Sequence, residues 1–205
     1  MSNFEYIIAS LPFLTRDFQY AQGQGFQNVI DEIRENLSEK DNATLDFLLK
    51  GFEASEPAFY REALQHSLPF IRGYFSYDLD LKNAKVRYLN RQLGRPEEMD
   101  IVSLAEEEGL EEPLREFEED RKVEDALSTT DLVAREKALD DVTWEKADKL
   151  STFHYFDLTA VLAYVVKLNI ANRWLALDEE RGKELFRKLV SEIRGTFKGV
   201  KYQEI

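Results

Sequence analysis

Apolar residues recur at helical spacing along nearly the whole chain. Phe4, Ile7, Ile8 and Leu11 stand at i, i+3, i+4 and i+7, a short amphipathic helix that Pro12 stops. Residues 12–25 hold Pro12, Gly23 and Gly25 and read as a loop. Phe26, Val29, Ile30, Ile33 and Leu37 resume the helical stripe. Ser38 is placed as an N-cap, with Asp41 three residues on as a capping-box acid, and Leu45, Leu48, Leu49 and Phe52 follow. Pro57 suits a first helical turn, and Pro69 is expected to end or kink that helix. A longer helix is predicted from Phe70 to Leu93, with Gly94 as its stop and Pro96 beyond. The next helix is expected from about Thr130 to Leu150. Phe153–Leu177 is apolar almost all round, through Phe156, Val161, Leu162, Val165, Val166, Leu168, Ile170 and Trp174, with a thin polar line at Asp157, Lys167, Asn169 and Arg173. Such a helix has to be packed on several sides, so it is expected at the centre of the core. A last helix is expected to begin near Asp178 and to carry Leu185, Phe186, Leu189, Val190 and Ile193, with Gly195 and Gly199 loosening the tail. Period-two alternation is absent, so the fold class is all-α.

Composition sharpens this picture at a few points. Hydrophobic residues make up 43% of the 205 and aromatics 12%, enough for a real core. There is no cysteine, which excludes a disulfide scaffold, a thiolate metal site and a cysteine nucleophile. No secretory signal, spanning run of 18 uncharged apolar residues or lipidation signal is expected from the pattern. The net charge of −13 is concentrated: Glu97–Asp125 holds 14 acidic and 3 basic residues, a local −11. That balance argues against a nucleic-acid partner and favours a basic protein partner or a solvated surface. The acidic stretch, broken near Gly109 and Pro113, divides the chain into an N-terminal helical half (1–96), an acidic helical connector (97–127) and a C-terminal helical half (128–205). The three are expected to share one core.

Candidate chemistry is sparse. Gly23 and Gly25 stand in QGQG, without the Lys-Ser/Thr of a phosphate loop. His66 and His154 lie in no HExxH, and neither has a Glu three residues before it. No GxSxG elbow is present. Asp140, Asp141 and Glu145 are the nearest approach to a magnesium-binding carboxylate cluster, which needs several carboxylates converging on one pocket. No catalytic residue, cofactor or metal is expected. On the Phe70–Leu93 helix an apolar stripe of Phe75, Leu79, Val86 and Leu93 is interrupted by Asn83 and Asn90, seven residues apart. Buried amides need partners and can fix helix register, and a neighbouring helix is the expected partner. Arg87, Arg91 and Arg95 line another face at i, i+4 and i+8, placed to meet phosphate, a partner or the acidic segment that follows.

Three stretches carry a resemblance: YIIASLPFL, YFSYDLDLKNAKVRYLNRQLG, and TWEKADKLSTFHYFDLTAVLAYVVKLNIANRWLALDEERGKELFRKLV. They resemble a bacterial family of uncharacterised proteins encoded among V-type ATPase genes. That family is similar to the C subunit (named d in eukaryotes) of V-type and archaeal-type ATPases. Asp78 or Asp80, Asn83, Arg91 and Gly94 match one helical repeat of that protein, and Lys167 and Asn172 sit in comparable places in a later one. The full-length relative has three such repeats; this length suits about two.

The resemblance implies a multi-helix bundle acting as a non-catalytic central-stalk part in proton or other ion transport. It would be cytoplasmic and peripheral to the inner membrane through protein contacts. Its partners would be the shaft proteins of the V-type ATPase (D and F) and the proteolipid ring, with ATP hydrolysed elsewhere in the complex. On this reading Glu106, Glu107, Glu108, Glu111 and Glu112, together with Arg87, Arg91 and Arg95, form the expected partner interface. Asn83 and Asn90 are the buried register residues. A free-standing helical adaptor or regulator is the alternative. An enzyme built on the Asp140–Asp141 carboxylates is a third.

Overall fold

The computed structural model describes residues 2–17, 25–104 and 117–197, with side chains described as far as Leu177. The helices are α1 (Phe4–Ser10), α2 (Phe26–Glu35), α3 (Glu39–Gly51), α4 (Pro57–Leu64), α5 (Pro69–Leu93), α6 (Asp120–Leu127), α7 (Leu132–Leu150) and α8 (Leu158–Phe197). Among the described residues there is no strand, and the chain is an all-α multi-helix bundle.

Local chemistry places most of the ends. Asn3 caps α1 by accepting the Tyr6 N–H, and Asp131 caps α7 by accepting that of Ala134. Ser38 caps α3 through the Asp41 N–H. Asp41 reaches back to the Ser38 hydroxyl, while Ser2 accepts the Ser38 N–H, so the capping box is completed from the N-terminus. Pro69 starts α5 instead of ending the helix before it, because its missing N–H is one the first turn does not use. Gly94, at φ 65°, closes α5: its own N–H meets the Arg91 carbonyl and that of Arg95 meets the Asn90 carbonyl, a Schellman ending.

The core falls into two clusters. The larger one takes Ile7 from α1, Val29, Ile30 and Ile33 from α2, Leu45 and Leu48 from α3, the first half of α5, and α8 from Val161 to Ala171. The smaller one joins Tyr77 and Leu81 of α5 to Val123, Ala126 and Leu127 of α6 and Leu139 and Val142 of α7. Helix α8 contacts α1, α2, α3 and α7, the central position expected of it. Its stretch Leu158–Leu177 has the length and hydropathy to cross a bilayer. Here no residue from Leu158 to Asn172 is exposed, and the packing of the bundle accounts for that apolarity. Gly51 marks a close approach between α3 and two rings: a β-carbon there would lie 2.1 Å from Phe75 Cζ and 2.6 Å from Phe59 Cζ.

Three further sequence expectations need correction. The central helix starts at Leu158, not Phe153, because Asp157 caps it by accepting the Ala160 N–H (3.1 Å). Phe156 therefore lies outside the helix and is exposed. No new helix begins at Asp178. The backbone of α8 runs on through it to Phe197, roughly 60 Å in all at 1.5 Å per residue, since no proline intervenes and isolated glycines are tolerated at Gly182 and at Gly195, which was expected to loosen the tail. Leu93, assigned to the apolar stripe, is exposed at the end of α5. The expected break near Gly109 and Pro113 lies outside the described residues.

Candidate partner interface

The C-terminal half of α5 carries a strap, residues 95–104, laid along its own surface. Asn83 and Asn90 are both buried. The Asn83 amide donates to the Val102 carbonyl (3.0 Å) and accepts the Val102 N–H (2.9 Å). The Asn90 amide donates to the carbonyls of Glu97 (3.1 Å) and Met99 (2.7 Å). Seven residues are about two helical turns, so the two amides share a face roughly 10 Å apart along the axis. Their partner is the strap backbone, not a neighbouring helix as expected. A side-chain amide carries one donor group and one acceptor in the geometry of a peptide, so it satisfies backbone whatever the strap's sequence.

The arginines fasten the same strap. Arg87 meets Glu98 with two parallel bonds, Nε to Oε1 at 2.8 Å and Nη2 to Oε2 at 2.9 Å. Those bonds hold the Glu98 carboxyl below the usual carboxylate range. Arg91 lies 3.5 Å from Glu97 and 3.4 Å from Glu124 of α6. Arg95 stands past the helix end, exposed. So Arg87 and Arg91 pair with the acidic connector, the simplest of the roles open to them. Glu106, Glu107, Glu108, Glu111 and Glu112 lie outside the described residues.

Helices α7 and α8 are joined by charge as well as packing. Asp140, buried on α7, accepts from the Arg173 guanidinium and from Trp174 Nε1 (2.7 Å). Lys167 pairs with Asp148 and lies over the Trp144 ring, 5.6 Å from its centroid. Two members of the thin polar line, Lys167 and Arg173, therefore form the seam with α7, while Asp157 lies before α8 and meets His154. Asp141 turns instead to Lys137 (3.5 Å), and Glu145 to Lys122 (2.7 Å). The three carboxylates considered for magnesium point to three different cations. Among the described residues no group of three His, Asp or Glu is placed to hold a metal ion. His66 is used locally: its Nδ1 accepts the Leu68 N–H, and burial with the nearby Arg72 charge lowers its pKa.

A model of the family described as "Protein of unknown function (DUF2764)" matches residues 52–196, well over half of the chain. The chain belongs to that family. The DUF2764 match spans α4 to α8, and so takes in the Asn–strap contacts, both paired arginines and the α7–α8 seam, while α1 to α3 precede it. No curated protein and no solved structure matches the chain.

Within the DUF2764 region lie polar groups that sequence reasoning passed over. Tyr60 of α4, wholly buried, donates to Asp78 (2.7 Å), and Lys82 donates to the Tyr60 hydroxyl (2.7 Å) and the Ala54 carbonyl (2.7 Å). Burial first, then the Asp78 charge, drives the phenol far above its usual pKa. Lys146 of α7 reaches Glu119 (2.9 Å), with both side chains largely covered, and lies over the Tyr77 ring. The i,i+4 spacing of Asp78 and Lys82 was a readable signal. Nothing local marks Tyr60 or Lys146, whose partners are distant in sequence.

Proposed function

We propose that this chain is a non-catalytic component of a V-type ATPase, similar to the central-stalk protein (C, or d in eukaryotes) that couples the shaft to the membrane proteolipid ring. The observation that carries this reading is the use of the residues bearing the resemblance. Asp78 ties α5 to Tyr60 and Lys82, Asn83 holds the strap, Arg91 bridges to Glu97 and Glu124, and Gly94 closes the helix. Asp78, Asn83 and Arg91 stiffen one long helix against its neighbours, and Gly94 fixes where it ends. A part that transmits torque needs that stiffness and contact faces. On this reading the protein is cytoplasmic and reaches the inner membrane through its protein partners. Arg95 and the acidic residues from Glu106 to Glu112 belong to the contact face, and Arg87 and Arg91 support it through the strap.

The test is affinity purification of the tagged chain from its native host in mild detergent, with mass spectrometry of co-purifying proteins. Recovery of the shaft proteins and the proteolipid, lost at high salt, is the expected result. A clean preparation without any ATPase component would reject the reading and put a free-standing adaptor first. Arg87→Glu alone is a poor probe, because it sets a carboxylate against Glu98. The paired swap Arg87→Glu with Glu98→Arg keeps the strap closed while reversing the outer charge.

A further inference from the structure

We propose that one end of the bundle, formed by the Pro12–Leu14 turn and the α7–α8 connection, is a lipid-binding surface that seats in the boundary layer of a bilayer. Four large aromatics are exposed there: Phe13 (82%), Phe153 (84%), Tyr155 (67%) and Phe156 (60%). Phe13 and Tyr155 line one cleft of about 400 Å³ with Ile8, Leu11, Trp144 and Ala163, which places the two connections side by side. Phe153 and Phe156 flank Tyr155 in the same connection.

The rings are held outward. Phe153 sits in the left-handed region at φ 69°, a conformation that a non-glycine side chain rarely adopts. The turn around it is closed by the His154 N–H to the Ser151 carbonyl (2.9 Å) and by the Thr152 hydroxyl to the Asp148 carbonyl (3.1 Å). His154 Nδ1 then meets Asp157 (2.5 Å), which caps α8. These bonds fix the backbone that carries Phe153, Tyr155 and Phe156.

Area and charge choose the occupant. An aromatic side chain carries about 150–250 Å², so four rings at these exposures offer roughly 450–700 Å². That is about the largest apolar patch a monomer leaves to water, and it falls short of the roughly 800 Å² per partner of a stable protein interface. A second copy would also bring its own −13 charge. Charged groups at this end are paired within the chain: Lys167 and Arg16 both meet Asp148 (Arg16 at 3.5 Å), and Asp157 meets the His154 ring. A partner read by complementary charge finds little to hold. A bilayer boundary needs no such match, takes protruding aromatic rings singly, and supplies acyl chains slim enough for the cleft.

The experiment is flotation of the purified full chain with phosphatidylcholine vesicles, beside vesicles containing phosphatidylglycerol, at low and high salt. Brominated phosphatidylcholine reports whether lipid reaches the cleft, by quenching tryptophan emission through Trp144. Binding to the zwitterionic vesicles that survives high salt, with quenching, is expected. Phe13→Ser with Phe156→Ser should cut the bound fraction at least about fivefold while helicity and Tm stay unchanged, since both rings are exposed. Tyr155→Ser is the second variant should that pair disturb folding. No binding at any lipid concentration would overturn the proposal, as would binding that neither variant changes. Binding confined to anionic vesicles and abolished by salt would overturn it too. Self-association that the same variants abolish, without vesicle binding, would assign this end to a second copy instead. The proposal adds a direct lipid contact to the protein-mediated membrane association of the rotor reading and is tested apart from it: vesicle binding by the isolated chain is unaffected by whether ATPase components co-purify.

Discussion

Asn83 and Val102 are joined by both hydrogen bonds that a backbone pair would make, although one partner is a side chain. The Asn83 amide thus holds a segment that is 19 residues away and belongs to no helix. Asn83→Ala would leave both Val102 groups without that partner, at an expected cost of about 2–3 kcal/mol. Asn83→Asp should do no better, because a carboxylate oxygen would then face the Val102 carbonyl. Urea unfolding measures the loss, and amide exchange at Val102 shows whether it arises by release of the strap. Since Asn90 holds the same strap, the double Ala variant should lose less than the sum of the two.

Asp140 answers to Arg173 and Trp174, so its role is to join α7 to α8. Asp140→Ala should cost about 1–3 kcal/mol, chiefly because it strips a partner from the indole N–H, since half-exposed Arg173 can turn to water. Asp140→Asn keeps an acceptor for Trp174 and should cost less. With the neighbouring carboxylates turned to other cations, magnesium or manganese is expected to leave Tm unchanged in both the parent and the variants. Thermal denaturation with and without the metal reads both effects. A metal-dependent rise that Asp140→Asn abolished would reopen the enzyme reading.

His66 makes stability depend on mildly acid pH. Its folded pKa lies below the ordinary value of 6.5, through burial and then the Arg72 charge. As pH falls through 6.5 the unfolded chain takes up this proton before the folded one. Stability therefore drops there and levels off below the folded pKa. His66→Asn keeps an acceptor for the Leu68 N–H without the titration, and should flatten the stability profile around pH 6. Glu98 and Glu118 act in a separate window. Their pKa values are held below 4.5 by Arg87 and Lys149, so their contribution is lost only as pH falls below about that value. Unfolding midpoints measured every half unit distinguish the two.

Phe153 tests whether a left-handed residue is there for folding or for its ring. The ring is exposed, so its removal forfeits little packing. Phe153→Gly should leave stability unchanged or raise it by up to about 1 kcal/mol, the left-handed strain relieved outweighing the added freedom of the unfolded chain. Phe153→Ala, which keeps the strain, should not gain. Chemical denaturation of the two variants side by side gives the comparison.

Helix content was legible because it rests on spacing between near neighbours. The stripes of α1, α2 and α3, the Ser38 cap, the Gly94 stop and the central place of Val161–Ala171 all follow from residues within a few turns of each other. The errors arose where a local signal competes with another local choice. Phe153 to Phe156 look like helix because they are apolar, but the Asp157 cap starts the helix after them. Asp178 looks like a new cap, yet nothing breaks the helix ahead of it. For the interface, the pairing of Arg87 and Arg91 with the connector was foreseeable from charge order alone.

By itself, then, the sequence determined the class of fold, the identity of the core helix and the two buried asparagines, since periodicity and polarity are properties of a single helix. Only the tertiary structure decided that the asparagines grip a strap, that Asp140 belongs to Arg173, that Tyr60 is buried against Asp78 and Lys82, and that the aromatics of the α7–α8 turn stay outside the core. These outcomes depend on which helices pack together. Helical spacing says which face of a helix is apolar, but not what lies across from it.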